Sequence, residues 1–388
     1  LKAGVPTTPF RDIELHTRDN DLVGATFGRG FYVLDDYSVL RTLSTAVKDQ
    51  ANRLFPVRDA WWYIPNLPMQ AKGMPTLGST NYVGKNPPFG AVFTYYINMV
   101  PKTAAKNRKA EEVSLREKQA SVPFPGWEVL REQAHENEPQ VLLLVKDESG
   151  HPIRWIEASK ASGVHRASWD LRLAAPHAIN LTKSAFKPPW AGDPKGPLAA
   201  PGKYTVTLYI IHQGVMKAQG SSQHFEVKPV PSLMAGTDVA VVSAFQQKTS
   251  ELMGQIKGAG QKITEAYTRL EYLKAALKET PKATAQHFAQ WNQQRNQLNQ
   301  LQMRLNGDPI RQGFNEATLP SISGRIGHIA SGHWATRQNP TQTYQDNFEI
   351  AARDFTQFTG DLEQYLLALE QYEAALAAAG APYTRGRK

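Results

Sequence analysis

Residues Asp21–Asp36 read DLVGATFGRGFYVLDD, and the rest of the chain is organised around them. Leu22–Phe27 and Phe31–Leu34 are apolar, β-branched and aromatic runs, separated by the loop Gly28-Arg29-Gly30. Two glycines in a three-residue loop supply the positive φ values that a bulged hairpin needs. The stretch therefore predicts a β-hairpin, and Phe10–His16 predicts a strand beside it. A hairpin alone is marginal in water, and no later segment offers an obvious sheet for it to join. The expectation is one part of a larger β assembly. Its own residues carry no complete catalytic constellation.

Composition sets the outer limits. At 388 residues the chain is long enough for two or three domains with proper cores. It opens on Leu1 without a charged n-region or an apolar h-region, so a mature or truncated N-terminus is expected. No run approaches the ~20 apolar residues of a membrane span. The absence of cysteine excludes disulfides and thiolate zinc sites but leaves the compartment open. The net charge of +9 raises the question of nucleic acid. The basic residues, however, are mixed with acids, as in Lys102–Lys118, and cluster only at Arg385–Lys388. No nucleic-acid-binding signature accompanies them, so no nucleic acid partner is expected. A solvated basic surface is the plain reading, and a polyanionic glycan or acidic partner the sharper one.

Leu43–Asn52 reads as a short linker with one or two helical turns, and Leu54–Gly90 is rich in proline, glycine and aromatics. Prolines at that density exclude long helices and central strands. Trp61, Trp62 and Tyr63 are candidate ligand-stacking residues, with burial between domains as the alternative. Neighbours in a strand point to opposite faces, so at most two of the three can share one surface. From Ala91 onward strands alternate with turns: Ala91–Ile97, Val141–Val145, Ile153–Ala158, Gly163–Leu171, Tyr204–Ile211 and His224–Val227. Turn chemistry separates each pair, as an antiparallel β-sandwich requires. A polar excursion near 98–139 reads as an insertion.

After Pro231 the hydrophobic period changes from two to about 3.6. Asp238–Lys278 predicts one helix, weakened by Gly254, Gly258 and Gly260. Thr280 as N-cap and Pro281 at the first helical position predict a second helix running to Asn306. Tyr344–Ala379 predicts the longest, with Gly380 past its end. Together they predict an antiparallel helical bundle. His328, His333 and Trp334 are placed in a loop, and five-residue spacing does not suit a metal site. His16, His151 and His165 lie in the β half. Neither a metal nor a cofactor is expected. Asp35 and Asp36 read either as paired carboxylates for glycoside hydrolysis or as turn residues capping backbone donors; the turn role is expected.

Gly4–Arg41, with Asn20-Asp21-Leu22-Val23, Thr26-Phe27-Gly28-Arg29-Gly30 and Leu34-Asp35-Asp36, resembles the last blade of the bacterial BNR-repeat, sortilin-type β-propeller proteins. These are secreted proteins often described as glycosyl hydrolases. Two further motifs resemble the Ig-like domain of flagellar hook-capping proteins: Gly163-Val164-His165-Arg166 with Trp169-Asp170-Leu171-Arg172, and Ala200-Pro201-Gly202-Lys203-Tyr204-Thr205-Val206. Asn339–Gln342, Glu349–Ala351 and Ala378–Arg387 resemble the C-terminal part of the propeller family. The chain departs from that family in holding no aspartate box, no cysteine-rich module and only one blade. The resemblance implies a blade over 1–45, a linker over 46–90, an Ig-like (fibronectin-like) β-sandwich over 91–231 and a helical bundle over 232–388. It implies structural roles for Gly28, Arg29, Gly30, Asp35, Asp36, Trp169, Asp170, Pro201, Gly202 and Tyr204. Trp169 is expected in the core, with Pro201-Gly202 making the entry turn before Tyr204. The function implied is a non-catalytic scaffold or ligand-recognition region, secreted, periplasmic or at the cell surface. Its partners would be the upstream blades of the same parent protein and a glycan or protein ligand. One alternative is a share in a glycoside hydrolase whose active site lies in upstream blades; another is a protein-protein interaction module.

Overall fold

Three strands open the chain: β1 (Phe10–His16), β2 (Asp21–Thr26) and β3 (Gly30–Leu34), paired antiparallel in that order. The computed structural model describes residues 7–28, 30–42, 52–65, 87–181, 186, 188, 192–231 and 236–386. Arg29, Leu43–Ala51 of the expected linker, Pro68, Pro75 and Arg387 lie outside the described residues. Thr26 pairs with Gly30, and the Thr26 hydroxyl donates to the Gly30 carbonyl at 2.8 Å. The hairpin loop thus begins at Phe27, one residue earlier than the glycines suggest, and Gly30 (φ +90°) begins β3. The register places Ile13, Leu15, Leu22, Tyr32 and Leu34 on one face, and the Phe10 ring joins them beside Tyr32. Gly24 leaves room for that ring. Every residue of β1 is exposed, and among the described residues no further strand joins either edge of the sheet.

The chain then builds two more sheets. Their strands are β4 (Arg53–Leu54), β5 (Ala60–Trp62), β6 (Ala91–Ile97), β7 (Gln140–Asp147), β8 (Pro152–Ala158), β9 (Gly163–Trp169), β10 (Gly202–His212), β11 (Val215–Ala218) and β12 (Gln223–Pro229). One sheet runs β5-β12-β10-β7-β8 with β11 on β10, and the other runs β4-β6-β9. All neighbours are antiparallel except β5 and β12. Aromatic rings join the sheets: Trp169 meets Tyr204 at 5.2 Å and Phe225 at 6.3 Å, and Phe93 meets Phe225 at 5.6 Å. Alternate β10 residues Tyr204, Val206, Leu208 and Ile210 are buried, as a strand with one core face requires. Gly90 takes φ +99°, and a Cβ there would collide with the Trp169 carbonyl oxygen.

Two differences from the sequence reading concern short strands. Arg53–Leu54 and Ala60–Trp62, within the span read as linker, are strands of the two sheets. At two and three residues they carry no readable periodicity and owe their form to their partners. Lys217 lies exposed on the short strand β11. The insertion near 98–139 carries α1 (Ala104–Glu117), capped by the Thr103 hydroxyl, and α2 (Trp127–His135).

The chain divides into two compact units, one reaching Leu171 and including Pro201–Val230, the other comprising Arg172–Ala200 and the chain from Pro231. The second holds α3 (Val239–Lys278), α4 (Ala285–Asn306), α5 (Pro309–Gly313), α6 (Ile322–His333) and α7 (Gln342–Ala378). Trp291 Nε1 donates to the Leu270 carbonyl while Tyr267 reaches Asn299, so α4 runs antiparallel to α3. Phe245 meets Phe348 and Arg269 meets Glu373, so α7 runs parallel to α3. Arg325 reaches Asn347 and His328 meets Tyr344, so α6 runs against α7. Two legs of 40 and 37 residues, about 60 and 55 Å long, therefore flank a return leg broken into α4 and α6. Leu270, Leu298, Leu305, Ile329, Phe358 and Leu369 belong to one shared core.

Helix ends explain two further corrections. The second long helix starts at Ala285, not Pro281: the Thr284 side chain accepts at its third residue while His287 Nδ1 accepts from the Thr284 backbone N–H at 3.1 Å. Thr280 instead closes α3, donating to the Ala276 carbonyl. His328 and His333 lie on α6, not in a loop, and Trp334 is its C-cap. Gly324, Gly327 and Gly332 dilute that helix's sequence signal, while Ile322, Ile326, Ile329 and His333 supply its buried stripe. Gly380 ends α7 in a Schellman motif, its N–H on the Ala377 carbonyl and that of Ala381 on Leu376.

Burial makes Trp169 a direct test of the first unit. Trp169→Ala should cost about 3–5 kcal/mol, whereas Lys217→Ala should stay within about 0.5 kcal/mol. Urea melts of the two variants read the difference, and equal small effects would contradict the packing described.

Candidate functional site

The aromatic triplet lies on the edge strand β5. Parallel pairing sets Ala60, Trp61 and Trp62 beside Val227, Lys228 and Pro229 of β12. Period two then separates the rings. Trp62 is buried at 1% exposure, while Trp61 at 52% and Tyr63 at 38% are turned outward. Tyr63 meets the Phe89 ring edge-on at 4.9 Å. Next to them the Lys228 ammonium bonds Asp59 at 2.6 Å and lies 3.5 Å from Glu226. Burial opposes ionisation of Asp59, but hydrogen bonds from Lys228 and the Glu226 N–H outweigh it and hold the carboxyl below its usual range. Two exposed rings with a fixed acid and base alongside can stack on a planar or ring-shaped ligand and orient its hydroxyls.

A second cluster gathers at the turn between β1 and β2. His16, Asp19 and Asp21 are the one group of three metal-type ligands brought together among the described residues. The sequence reading passed over it, although His16, Asp19 and Asp21 flank a single turn. Arg58 Nη1 lies 4.0 Å from a carboxylate oxygen of each aspartate and donates to the Asp19 carbonyl at 2.7 Å. The Arg18 guanidinium bonds Asp19 at 2.9 Å and, with Arg58 and His16 adding to it, holds that carboxyl below its usual range. Two arginines thus balance two carboxylates. The cluster is an ion-pair knot rather than a vacant cation site.

Asp35 and Asp36 are held by their backbones. Their carbonyls both accept from Arg166 Nη2 on β9, at 2.8 and 2.7 Å. Asp36 adopts a left-handed backbone (φ 44°), its N–H donates to Asp21, and its carboxylate caps the 3-10 turn Tyr37–Arg41 through the Ser38 N–H and hydroxyl. Val39 of that turn packs on Phe55 and Tyr96. Gly28 (φ +71°) sits in the hairpin loop.

Trp169 is buried, and Asp170 follows it at the end of β9, half-buried. Pro201 precedes Gly202, the first residue of β10, and burial against Trp169 and Phe225 pushes the Tyr204 hydroxyl up to about 12. His151 lies 3.4 Å from Asp147, and His165 bonds the Ala161 carbonyl at 2.7 Å.

In the second unit Arg269 and Glu373 form a two-pronged ion pair, with Glu373 Oε1 accepting at 2.8 Å. Of two open grooves between the helices, that of about 320 Å³ beside Gly258 is lined mainly by small and apolar residues such as Ala259, Phe355 and Leu362, and that of about 380 Å³ beside Tyr365 largely by glutamines and charged side chains. Among the described residues, no helix is long and apolar enough to cross a membrane.

Comparison with known proteins leaves these surfaces to speak for themselves. No family model, curated protein or solved structure matches the chain.

The split of the triplet across β5 yields a paired expectation. Trp62→Ala should destabilise the first unit by about 3–5 kcal/mol, and Trp61→Ala by less than about 1 kcal/mol. Chemical denaturation followed by near-ultraviolet circular dichroism separates them; a larger loss at Trp61 would reverse the assignment of faces.

Proposed function

We propose that this chain is a non-catalytic scaffold and ligand-recognition region from the C-terminal part of a secreted bacterial BNR-repeat, sortilin-type propeller protein. On this reading β1–β3 is the last blade, the two facing sheets are an Ig-like sandwich and the helices are an antiparallel bundle. One observation carries it: the first sheet exposes Phe10, Ile13 and Leu15 on one face and Phe31 and Val33 on the other, and among the described residues no strand pairs with either edge. A sheet of that kind needs a neighbour to bury it. Upstream blades of the same parent protein would supply both the covering face and the missing strand. Any hydrolase activity belongs to those blades, and the location is secreted, periplasmic or at the cell surface. Trp61 and Tyr63 are the stacking surface for a glycan or protein ligand.

Amide hydrogen exchange tests the blade assignment. In the 388-residue chain Asp21–Leu34 should be weakly protected, and joined to preceding blades it should gain roughly tenfold or more. Strong protection in the chain alone would speak against the reading.

The non-catalytic half of the proposal has its own check. With Asp36 engaged as a cap and Asp19 and Asp21 in a knot of arginines, the chain should turn over neither aryl-glycosides nor casein. Turnover that disappears in Asp35→Asn or Asp36→Asn would promote the glycosidase alternative instead.

A further inference from the structure

His333 ends α6 at the point where α3, α6 and α7 meet. It is only 1% exposed. Its Nε2 lies 2.9 Å from the Gln338 carbonyl oxygen, which can only accept, so the proton sits on Nε2 and Nδ1 is left with a lone pair. Nδ1 is buried and has no hydrogen-bond partner. Around the ring stand the Phe245 ring at 5.1 Å, edge-on, and the Tyr344 ring at 5.7 Å. A proton added at Nδ1 would meet no acceptor.

The surrounding charges do not help. On this end of α3 stand Lys248, whose Nζ lies over the Phe245 and Phe348 rings, and Asp238, which is engaged with the Ala240 and Val241 N–H groups. On α6 there are Arg325 and His328, in the following loop Arg337, and on α7 Tyr344 and Asp346, the last bonded to Gln342. No ion pair joins His333 to a carboxylate among the described residues.

The same elbow is tied to α3 by hydrogen bonds as well as by the shared core. Gln246 of α3 donates to the His333 carbonyl at 2.9 Å and to the Thr336 carbonyl at 3.4 Å. Asn339 accepts from the Asp238 N–H and donates to the Gly236 carbonyl, tying the loop to the start of α3. We propose that His333 is a proton-operated latch, whose protonation in mildly acidic solution releases the α6–α7 elbow from the start of α3.

The direction follows from linkage. Burial holds the folded imidazole below its ordinary value of 6.5, only partly offset by the Gln338 hydrogen bond. The released elbow exposes the ring and takes up its proton near 6.5. The latched form is therefore at full strength above that pH and weakens as the pH falls below it.

Hydrogen exchange of the full chain between pH 7.5 and 5.5, corrected for intrinsic rates, measures the release. Protection over Ile322–Tyr344 should fall roughly tenfold, while the middle of α4 stays unchanged. His333→Gln keeps a donor for Gln338 but does not titrate, and it should flatten the profile. Should that variant not fold, the wild-type ring decides through its own NMR titration: the His333 ring should stay neutral well below its ordinary value of 6.5. Constant protection across the range, a pH response that survives in His333→Gln, or a ring titrating at about 6.5 or above overturns the latch.

Discussion

A side chain at residue 90 would drive its Cβ into the Trp169 carbonyl oxygen, and the first unit closes only because glycine stands there. That approach brings β6 into register with β9, Ala91 opposite Trp169 and Ile97 opposite Gly163. The ladder so fixed does three things. It sets Trp169 and Phe93 against Tyr204 and Phe225 of the facing sheet. It presents Tyr96 to Val39 and Phe55. It also aims Arg166 at the Asp35 and Asp36 carbonyls. Among the described residues the N-terminal sheet is accordingly held from one end, through Arg166 on the Asp35 and Asp36 carbonyls, Arg58 on the Asp19 carbonyl and the 3-10 turn, with Phe10, Ile13, Phe31 and Val33 left exposed.

The helical unit uses a different device. Its legs share a continuous apolar seam, which by itself would tolerate sliding by a turn. Arg269 and Glu373 interrupt the seam with a charged pair in which the Glu373 side chain is 6% exposed. Such a pair adds little net stability, because desolvation offsets the Coulombic gain. Displacing it by one turn would strand a buried charge, so it fixes which residues of α3 and α7 lie side by side. Burial pushes the neighbouring Tyr365 hydroxyl up as well, and its oxygen has no hydrogen-bond partner. Polar groups in this seam are thus neutral or paired, the same rule that His333 obeys at the elbow.

How much of this was legible in the sequence depends on how each element is specified. Long segments declare themselves: Ala91–Ile97 is a strand over the whole of its apolar and aromatic run, and α3 runs to Lys278 through three glycines. Elements specified by a partner do not. β4 and β5 are too short to carry a pattern and exist because β6 and β12 offer open edges. The start of α4 hinges on an imidazole taking the place of the usual carboxamide or carboxylate in a capping box, so Thr280-Pro281 is the more visible signal and the wrong one. At the candidate surface, period two separates Trp61 from Trp62, but their exposure depends on which face of β5 the neighbouring sheet covers. The His16–Asp19–Asp21 knot is half visible in sequence, since its balancing Arg58 arrives from a different strand connection.

The two units also differ in how completely they satisfy themselves, and this difference bears on function more than any single residue does. The helices bury Leu270, Leu298, Phe358 and Leu369 in one core and cap their own ends with Asp238, Thr284, Ser321 and Thr341. The N-terminal sheet leaves Phe31 at 77% exposure and Ile13 at 57%. Single exposed apolar residues are ordinary on any surface, but Phe10, Ile13 and Leu15 along β1 lie together on one face of this small sheet, with Phe31 and Val33 on the other. Among the described residues nothing covers those side chains, and the contact with preceding blades proposed above would bury them. Among the described residues the strand edges beside them are unpaired, so the neighbour proposed above would contribute backbone hydrogen bonds as well as apolar surface. A β-rich neighbour meets both demands at once, whereas a small ligand or a helix would satisfy only one.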